Sequence, residues 1–537
     1  MRHVLCALAL AGCTVGAPSV PNPPVLQVVS PARSTIQGEA GQLVVSGTVA
    51  QNPNGAPVAR VDVNGVAATL APDGSFAATL DLAPGATLLH TVATDLAGGT
   101  ATDTRSIEAG TIVAAGTSIS NAIATSISAT AFAKIAGAAT TLIKTTNLTA
   151  VVQPLNPVVT VGSGGDCINA QASIDSVAIS NAKITLAPVA GGLQVGAELD
   201  GLDVTGHMTY ALLCAPGSST FSVSATSVVV GGVLDLQPMG GSGLSVTIAK
   251  PDVQLAGLDI TATGLPGDIL NLLPIDQVIE VFAPLAGQAF LTPIINDALG
   301  SLTKPMSISL MGETIDFEVA PSAVSFGSAS GTVALDMMLL IEGTGSGAGF
   351  TSTPSGMPQL SPGNGLALGL CDDLANEALA ELTTTGLLNL SLPSMGGAAA
   401  ALSATSPPMM SANGSGGELQ LYLPDMIMTI SENGSVTGKV ALNVEVGVDI
   451  TPAQDATSVQ INLGTPTVAL DPLTPADADA LEGTDVETPA NNGTGSQLGS
   501  ITQLLQSIPL PKILGLQLTD TSVTGNNGYA VVQTTLQ

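Results

Sequence analysis

"SISNAIATSISATAFAKIAGAATTLI", residues 118–143, is the stretch on which the fold turns. At a period of 3.6 residues it sets Ile119, Ile123, Ile127, Ile135 and Leu142 near one stripe, so the spacing predicts an amphipathic helix. Alternating apolar and polar segments follow at 174–186, 193–199, 202–212, 221–230, 244–248 and 253–260, the period of half-buried strands. Then "PIDQVIEVFAPLAGQAFLTPIINDALGSL", 274–302, reads as helix again, kinked at Pro284 and Pro293.

The same order recurs downstream without a residue-level repeat. "LALGLCDDLANEALAELTTTGLL", 366–388, supplies a helix, and strands follow at 419–423, 426–430, 436–450 and 459–470. After an acidic loop at 471–495 come a short helix, "SQLGSITQLLQSI", and the strands "ILGLQLTDTSV" and "YAVVQTTL". The plan is helix, long meandering sheet, helix, twice over.

Composition narrows the classes. The chain has 537 residues, and only 10% are charged, with a mean hydropathy of +0.48, which excludes a disordered chain. No uninterrupted apolar run reaches the roughly 18 residues of a spanning helix. Forty-one acids against 11 bases give a net charge of −30, which repels nucleic acid and anionic headgroups.

"MRHVLCALALAGC" has the layout of a short export signal, a basic start, an apolar centre and small residues before Cys13. Leu10-Ala11-Gly12-Cys13 resembles the bacterial lipobox, whose cysteine is acylated and becomes the mature N-terminus. Two or more acyl chains anchor a protein stably. Thr14, where an Asp would favour inner-membrane retention, points to the outer membrane, with the chain facing the periplasm or the cell surface. "GAPSVPNPPV" then reads as a Pro-rich stalk.

Residues 24–109 hold short alternating strands with tight-turn signals at Asn64-Gly65 and Asp73-Gly74, the pattern of a β-sandwich. They resemble the immunoglobulin-like repeats of bacterial surface proteins, so a spacer or adhesion module is expected. Asp73, Asp95 and Asp103 read as turn and surface residues rather than calcium ligands.

From about 111 to 537 the chain resembles the tubular lipid-binding superfamily, in particular proteins like bactericidal/permeability-increasing protein. The features that carry this are the strand, helix with Asn376 and Gly386 exit of 366–388, the 274–302 segment, and "IPLPKILGLQLTDTSVTGNNGYAVVQTTL" near the end. The resemblance implies a mainly β fold with long helices (α+β): an Ig-like sandwich followed by two helix-wrapped, highly curved β-rolls forming a pseudo-dimeric lipid-binding tube. It assigns 1–12 to the signal, 13–23 to the stalk, 24–109 to the sandwich, 111–310 to the first barrel, 311–345 to a central linking sheet and 346–537 to the second barrel. It also implies a Cys167–Cys214 disulfide. Host-defence members bind lipopolysaccharide through a basic tip, which this chain lacks.

Catalytic patterns are missing from the sequence. Past the signal only His90 and His207 remain, in different modules, and there is no G-x-S-x-G elbow, P-loop or dinucleotide fingerprint. Cys371, Asp372 and Asp373 read as the solvated first turn of a helix, where carboxylates meet the positive end of its dipole. The acidic residues of 471–487 read as a solvated loop. No enzyme activity, cofactor or metal is expected.

The expected partner is a lipid or other hydrophobic ligand. Ile119, Ile123, Ile127, Val278, Phe282 and Leu285 are the candidate lining residues, on helices inside each roll, and Cys13 is the anchor. The competing reading is a surface adhesion or scaffold lipoprotein that holds no ligand.

Overall fold

A computed structural model describes residues 22–536 apart from 164, 240–242, 264–305, 311–312, 342–348, 354–355, 387, 396–397, 413–418, 453–457, 482–485, 487–489, 497, 500–507 and 510–517. The 274–302 segment, and with it Val278, Phe282 and Leu285, lies outside these residues, as does Cys13.

The N-terminal module is a sandwich of two sheets. One orders strands Val25–Ser30, Gly41–Ala50, Ser75–Leu82 and Thr69–Leu70. The other orders Thr35–Gln37, Thr100–Ala109, Gly85–Asp95, Val58–Val63 and Val66–Ala67. Alternation along each strand sends Val45, Phe76, Leu80, Val61, Leu89 and Ile107 into one core. Asn64 and Gly65 both take positive φ, 46° and 78°, as the two-residue turn between paired strands requires.

Among the described residues, three larger sheets and a two-stranded ribbon, Thr111–Ala114 with Gly349–Ser352, make the rest. A central seven-stranded sheet runs Met306–Leu310, Glu313–Phe326, Ser330–Ile341, Ile119–Ser128, Leu366–Cys371, Tyr529–Leu536, Leu518–Asn526, antiparallel throughout. Its strands therefore come from four separate parts of the chain. A first large sheet is built on Ile168–Ala178, Gly192–Leu212, Ala215–Met239 and Gly243–Ala256. A second is built on Ala398–Ser403, Leu419–Glu432, Ser435–Pro452 and Ser458–Leu463.

The expectation of long helices wrapping curved rolls is overturned. The protein is mostly strand with a few short helices. The longest described helix, Ala129–Thr145, has 17 residues, and Asp372–Thr384 has 13. The opening stretch shows why. Residues Ile119–Ser128 form a strand in the middle of the central sheet, and the helix starts only at Ala129, capped by Ser128, whose Oγ accepts the Ala131 N–H at 3.1 Å. The β-branched residues Ile119, Ile123, Thr125 and Ile127 suit a pleated surface better than a helix. Burial alternates accordingly, with Ala122, Ala124, Ser126 and Ser128 all buried. Beyond Ser128 the Ala-rich run favours helix, and Ala131, Phe132, Ile135, Ala136, Ala139 and Ile143 are its buried side.

Candidate functional site

The first large sheet carries a long apolar face. Gly192–Leu212 and Ala215–Met239 pair from Leu193↔Leu234 to Leu212↔Ala215. At about 3.3 Å per residue, strands of 21 and 25 residues extend roughly 70 and 80 Å. The helix packed on them is about 25 Å long at 1.5 Å per residue.

Cover therefore falls in zones. At the end near the central sheet, Phe132 packs with Leu193, Val195, Leu234 and Leu236, and Phe326 joins them, its ring centroid 6.3 Å from that of Phe132. In the middle, Ala136, Ala139 and Ile143 of the helix meet Ala182, Ile184, Leu199, Ala225 and Val228. Farther out, Val152 packs with Ile174, Val204 and Val223, and the buried pair Ala172 and Met208 meets half-buried Val158, Tyr210 and Leu212. The opposite face is polar: Thr205, His207 and Thr209 are exposed, and His207 Nδ1 lies 2.7 Å from Asp175 Oδ1.

Of the candidate lining residues, Val278, Phe282 and Leu285 lie outside the described residues, and the other three belong to a strand of the central sheet. Ile119 is buried in the core of the central sheet, paired with Met337, and Ile123 is half-buried between Leu335 and Leu370. Ile127 is half-buried against the Phe132 group. All three are strand residues, so they do not form a helical stripe. The residues of the apolar face, Ile174, Val204, Met208 and Val223, are buried, and were missed because a two-residue period marks such a face without saying which segments pack on it. Cys167 and Cys214 are joined by a disulfide.

The Asp372–Thr384 helix inverts its expected polarity. Asp372, Asp373, Asn376, Glu377 and Glu381 are all buried, where a solvated first turn was expected. Asp372, Asp373, Asn376 and Glu377 accept hydrogen bonds from surrounding segments. Ala412 N–H donates to Asp372 Oδ2 at 2.9 Å, Thr353 N–H to Asp373 Oδ1 at 3.0 Å, and Ser352 Oγ–H to Asp373 Oδ2 at 2.6 Å. Met410 N–H donates to Asn376 Oδ1 at 2.6 Å and Gly116 N–H to Glu377 Oε1 at 2.7 Å. The helix thus locks irregular backbone at the junction of the central and second large sheets.

Burial pushes Asp372 up to about 7, helped by neighbouring Asp373, and pushes Glu377 up to about 8. Burial, with the two adjacent carboxylates, also raises the Cys371 thiol, which leaves no nucleophilic thiolate at neutral pH. Cys371 Sγ and one oxygen each from Asp372 and Asp373 lie within 4.8 Å of one another. Both carboxylates already hold backbone or hydroxyl donors, so this donor set is a structural lock.

The sandwich is fixed against the second large sheet. Asp425, fully buried, accepts from Arg33 Nη1 at 3.0 Å, Ser34 N–H at 2.8 Å, Ser106 N–H at 3.0 Å and Asn443 Nδ2 at 2.9 Å. Asn443 Nδ2 also donates to the Thr104 carbonyl at 3.0 Å, and Thr104 N–H donates to Asp471 Oδ2 at 3.0 Å. Asp471 is therefore buried, not part of a solvated loop, and its burial raises its carboxyl to about 7. Asp95, also buried, accepts the Ala97 and Gly99 N–H groups and orders its own turn.

Residues 24–111 match the family model described as glucodextranase, domain B, which agrees with an Ig-like sandwich. Among solved structures, the chain is similar to a lipopolysaccharide binding protein at 15% identity, covering 78% of this chain and 99% of that one, with a TM-score of 0.40. It is also similar to P47 of Clostridium botulinum E1, at 8% identity over 79% and 100% of the two chains with a TM-score of 0.26. P47 from Clostridium botulinum A2 gives 10% identity over 77% and 96%, with a TM-score of 0.25. No curated protein matches. No described helix is long and apolar enough to cross a membrane.

Proposed function

We propose that the protein is a lipid-binding lipoprotein that lays acyl chains along the apolar face of its first large sheet. The supporting observation is that, among the described residues, the longest helix on these strands of about 70–80 Å is about 25 Å long. The apolar face runs on past the helix through Ile174, Val204, Val223 and Met208, where cover comes from the short segment around Val152 and Val158. Shielding a sixteen-carbon chain from water is worth on the order of 10 kcal/mol, enough to hold a lipid without a charged clamp. The role is carriage rather than catalysis, with Cys13 acylated and the chain tethered to an outer membrane.

Native mass spectrometry on the chain carrying Cys13→Ala tests this. Co-purifying phospholipid or fatty acid is expected as a discrete mass increment. A bare chain mass after incubation with phospholipid overturns the reading.

A further inference from the structure

The chain passes from the sandwich to the central sheet through residues 110–118, and carboxyl groups hold this passage in place. Its strand Thr111–Ala114 pairs with Gly349–Ser352 over four residues. Glu108, at the end of the sandwich, accepts from the Thr351 hydroxyl at 2.5 Å. Asp373 accepts from Ser352 Oγ–H and Thr353 N–H, and Glu377, one turn farther along the same helix, accepts from Gly116 N–H. All three acids are buried. Both strands of the ribbon therefore hang on one helix face, because residues four apart lie above one another.

Nothing basic balances these acids. The elements packed on the Asp372–Thr384 helix are Ile119–Ser128, Ser330–Ile341, Gly349–Ser352, Leu366–Cys371 and Met409–Ser411, and their titratable residues are Asp336 and Cys371. Asp372 and Glu381 lie on the helix itself, and Tyr529 stands beside its first turn. These described elements contain no Lys, Arg or His. Burial opposes ionisation of Glu377 most, and Glu381 and Asp373 add to it. Burial likewise raises Glu108.

The second contact between sandwich and body has the same sign. Asp471, which accepts from Thr104 N–H, is raised by burial and faces Arg33, Asp103 and Asp425. Arg33 is shared with both of the other carboxylates, and Arg105 is taken up by Asp103 and the Pro31 and Val28 carbonyls. On the neighbouring strand and helix, Lys439 is exposed and Asp477 is engaged by Thr474.

We propose that the two contacts form a pH-operated latch: the sandwich is docked on the body in acidic to neutral surroundings and swings free on residues 110–118 in alkaline ones. A protonated Glu377 or Asp471 is neutral and still accepts through its carbonyl oxygen. Loss of the proton leaves a buried charge with too little counter-charge, and release returns that carboxylate to water. Docking is therefore fully supported at low pH and lost as pH rises through about 7 for Asp471 and about 8 for Glu377. The passage gives way before the large sheets do, because a two-stranded ribbon alone is only marginally stable.

Small-angle scattering and proteinase K cleavage, both at pH 6 and pH 9, test the latch on the full chain carrying Cys13→Ala. The radius of gyration is expected to grow at pH 9 and to return at pH 6, with new cuts confined to residues 110–118. Glu377→Gln and Asp471→Asn keep an acceptor oxygen without a titrating proton, so each should shift the release to higher pH, and the double variant should stay compact and uncut at pH 9. An unchanged radius with no new cuts in the parent overturns the proposal. So does a double variant that opens as the parent does, and so do cuts at pH 9 spread through the sheets, which would mean general unfolding. If Glu377→Gln is already open at pH 6, Asp471→Asn is read alone, and an unshifted release in that variant overturns the latch.

Discussion

Asp425 and Arg33 are 392 residues apart in sequence and meet at 3.0 Å, with the Asp425 side chain wholly out of solvent. Arg33 belongs to the sandwich and Asp425 to the second large sheet, so the module read as a spacer is fastened to the body. Two backbone N–H groups of the sandwich, from Ser34 and Ser106, share the same carboxylate. Removing one partner of a buried charge pair costs about 3–5 kcal/mol, because the other is left unpaired. Arg33 keeps Asp103 at 3.2 Å, which puts Asp425→Ala near the low end of that range. Chemical denaturation should show the loss, together with earlier unfolding of the sandwich. A single unshifted transition would mean that the two bodies are not coupled through this carboxylate.

The pH dependence of stability should run opposite to common acid denaturation. Asp372 and Asp471 titrate near 7 and Glu377 near 8 in the folded chain, while unfolded carboxyls titrate near 4. Between those limits the folded state binds more protons than the unfolded state, so stability falls as pH rises and levels off above about 8. Each such group weakens folding by about 1.4 kcal/mol per pH unit across its window. Melting temperature measured from pH 5 to 9 should therefore decline toward pH 8. Glu377→Gln, whose amide oxygen can still accept from Gly116 N–H, should flatten part of the decline.

The sandwich was legible because its signals are local: alternation, Asn64-Gly65 and Asp73-Gly74 need no knowledge of distant partners. The strand-to-helix switch at Ser128 was not, since Ile119, Ile123 and Ile127 fit a four-residue spacing as well as a two-residue one. What decides is pairing with Ser330–Ile341 and Leu366–Cys371, which lie some 200 residues away. Asp372 and Asp373 failed for a related reason. Carboxylates in a first turn default to solvent, and the donors that bury them, Ala412, Thr353 and Ser352, come from other segments. The apolar face of the first large sheet was visible as alternation, but its excess length over the helix was not.

Loss of the Cys167–Cys214 bridge should be costly. It closes a loop with a sequence separation of 47, for which the chain-entropy treatment gives about 4 kcal/mol. The double substitution Cys167→Ala, Cys214→Ala should lower the denaturant midpoint and open the 162–167 loop to proteolysis, leaving the central sheet protected. Limited proteolysis with mass mapping checks both. Uniform sensitivity across the chain would contradict a bridge that acts on this end of the first large sheet.

Gly365 offers a sharper test of the central sheet, because it joins the two elements flanking the helix start. Its carbonyl accepts the Ser128 N–H at 3.0 Å, the last residue before the helix. A Cβ built at Gly365 would lie 1.9 Å from the Thr534 carbonyl oxygen, which belongs to the backbone of Tyr529–Leu536 and cannot rotate away. Gly365→Ala must therefore push two backbone segments apart, and overpacking of this kind costs about 1–3 kcal/mol. The Gly438→Ala control also crowds a neighbour, at 2.6 Å, but that neighbour is the Leu481 side chain, which can shift. Gly365→Ala should lose more stability than Gly438→Ala in equilibrium denaturation, and amide exchange should quicken first at Ser128 and Ala131. Equal losses at the two glycines would show that the central sheet has slack at this junction.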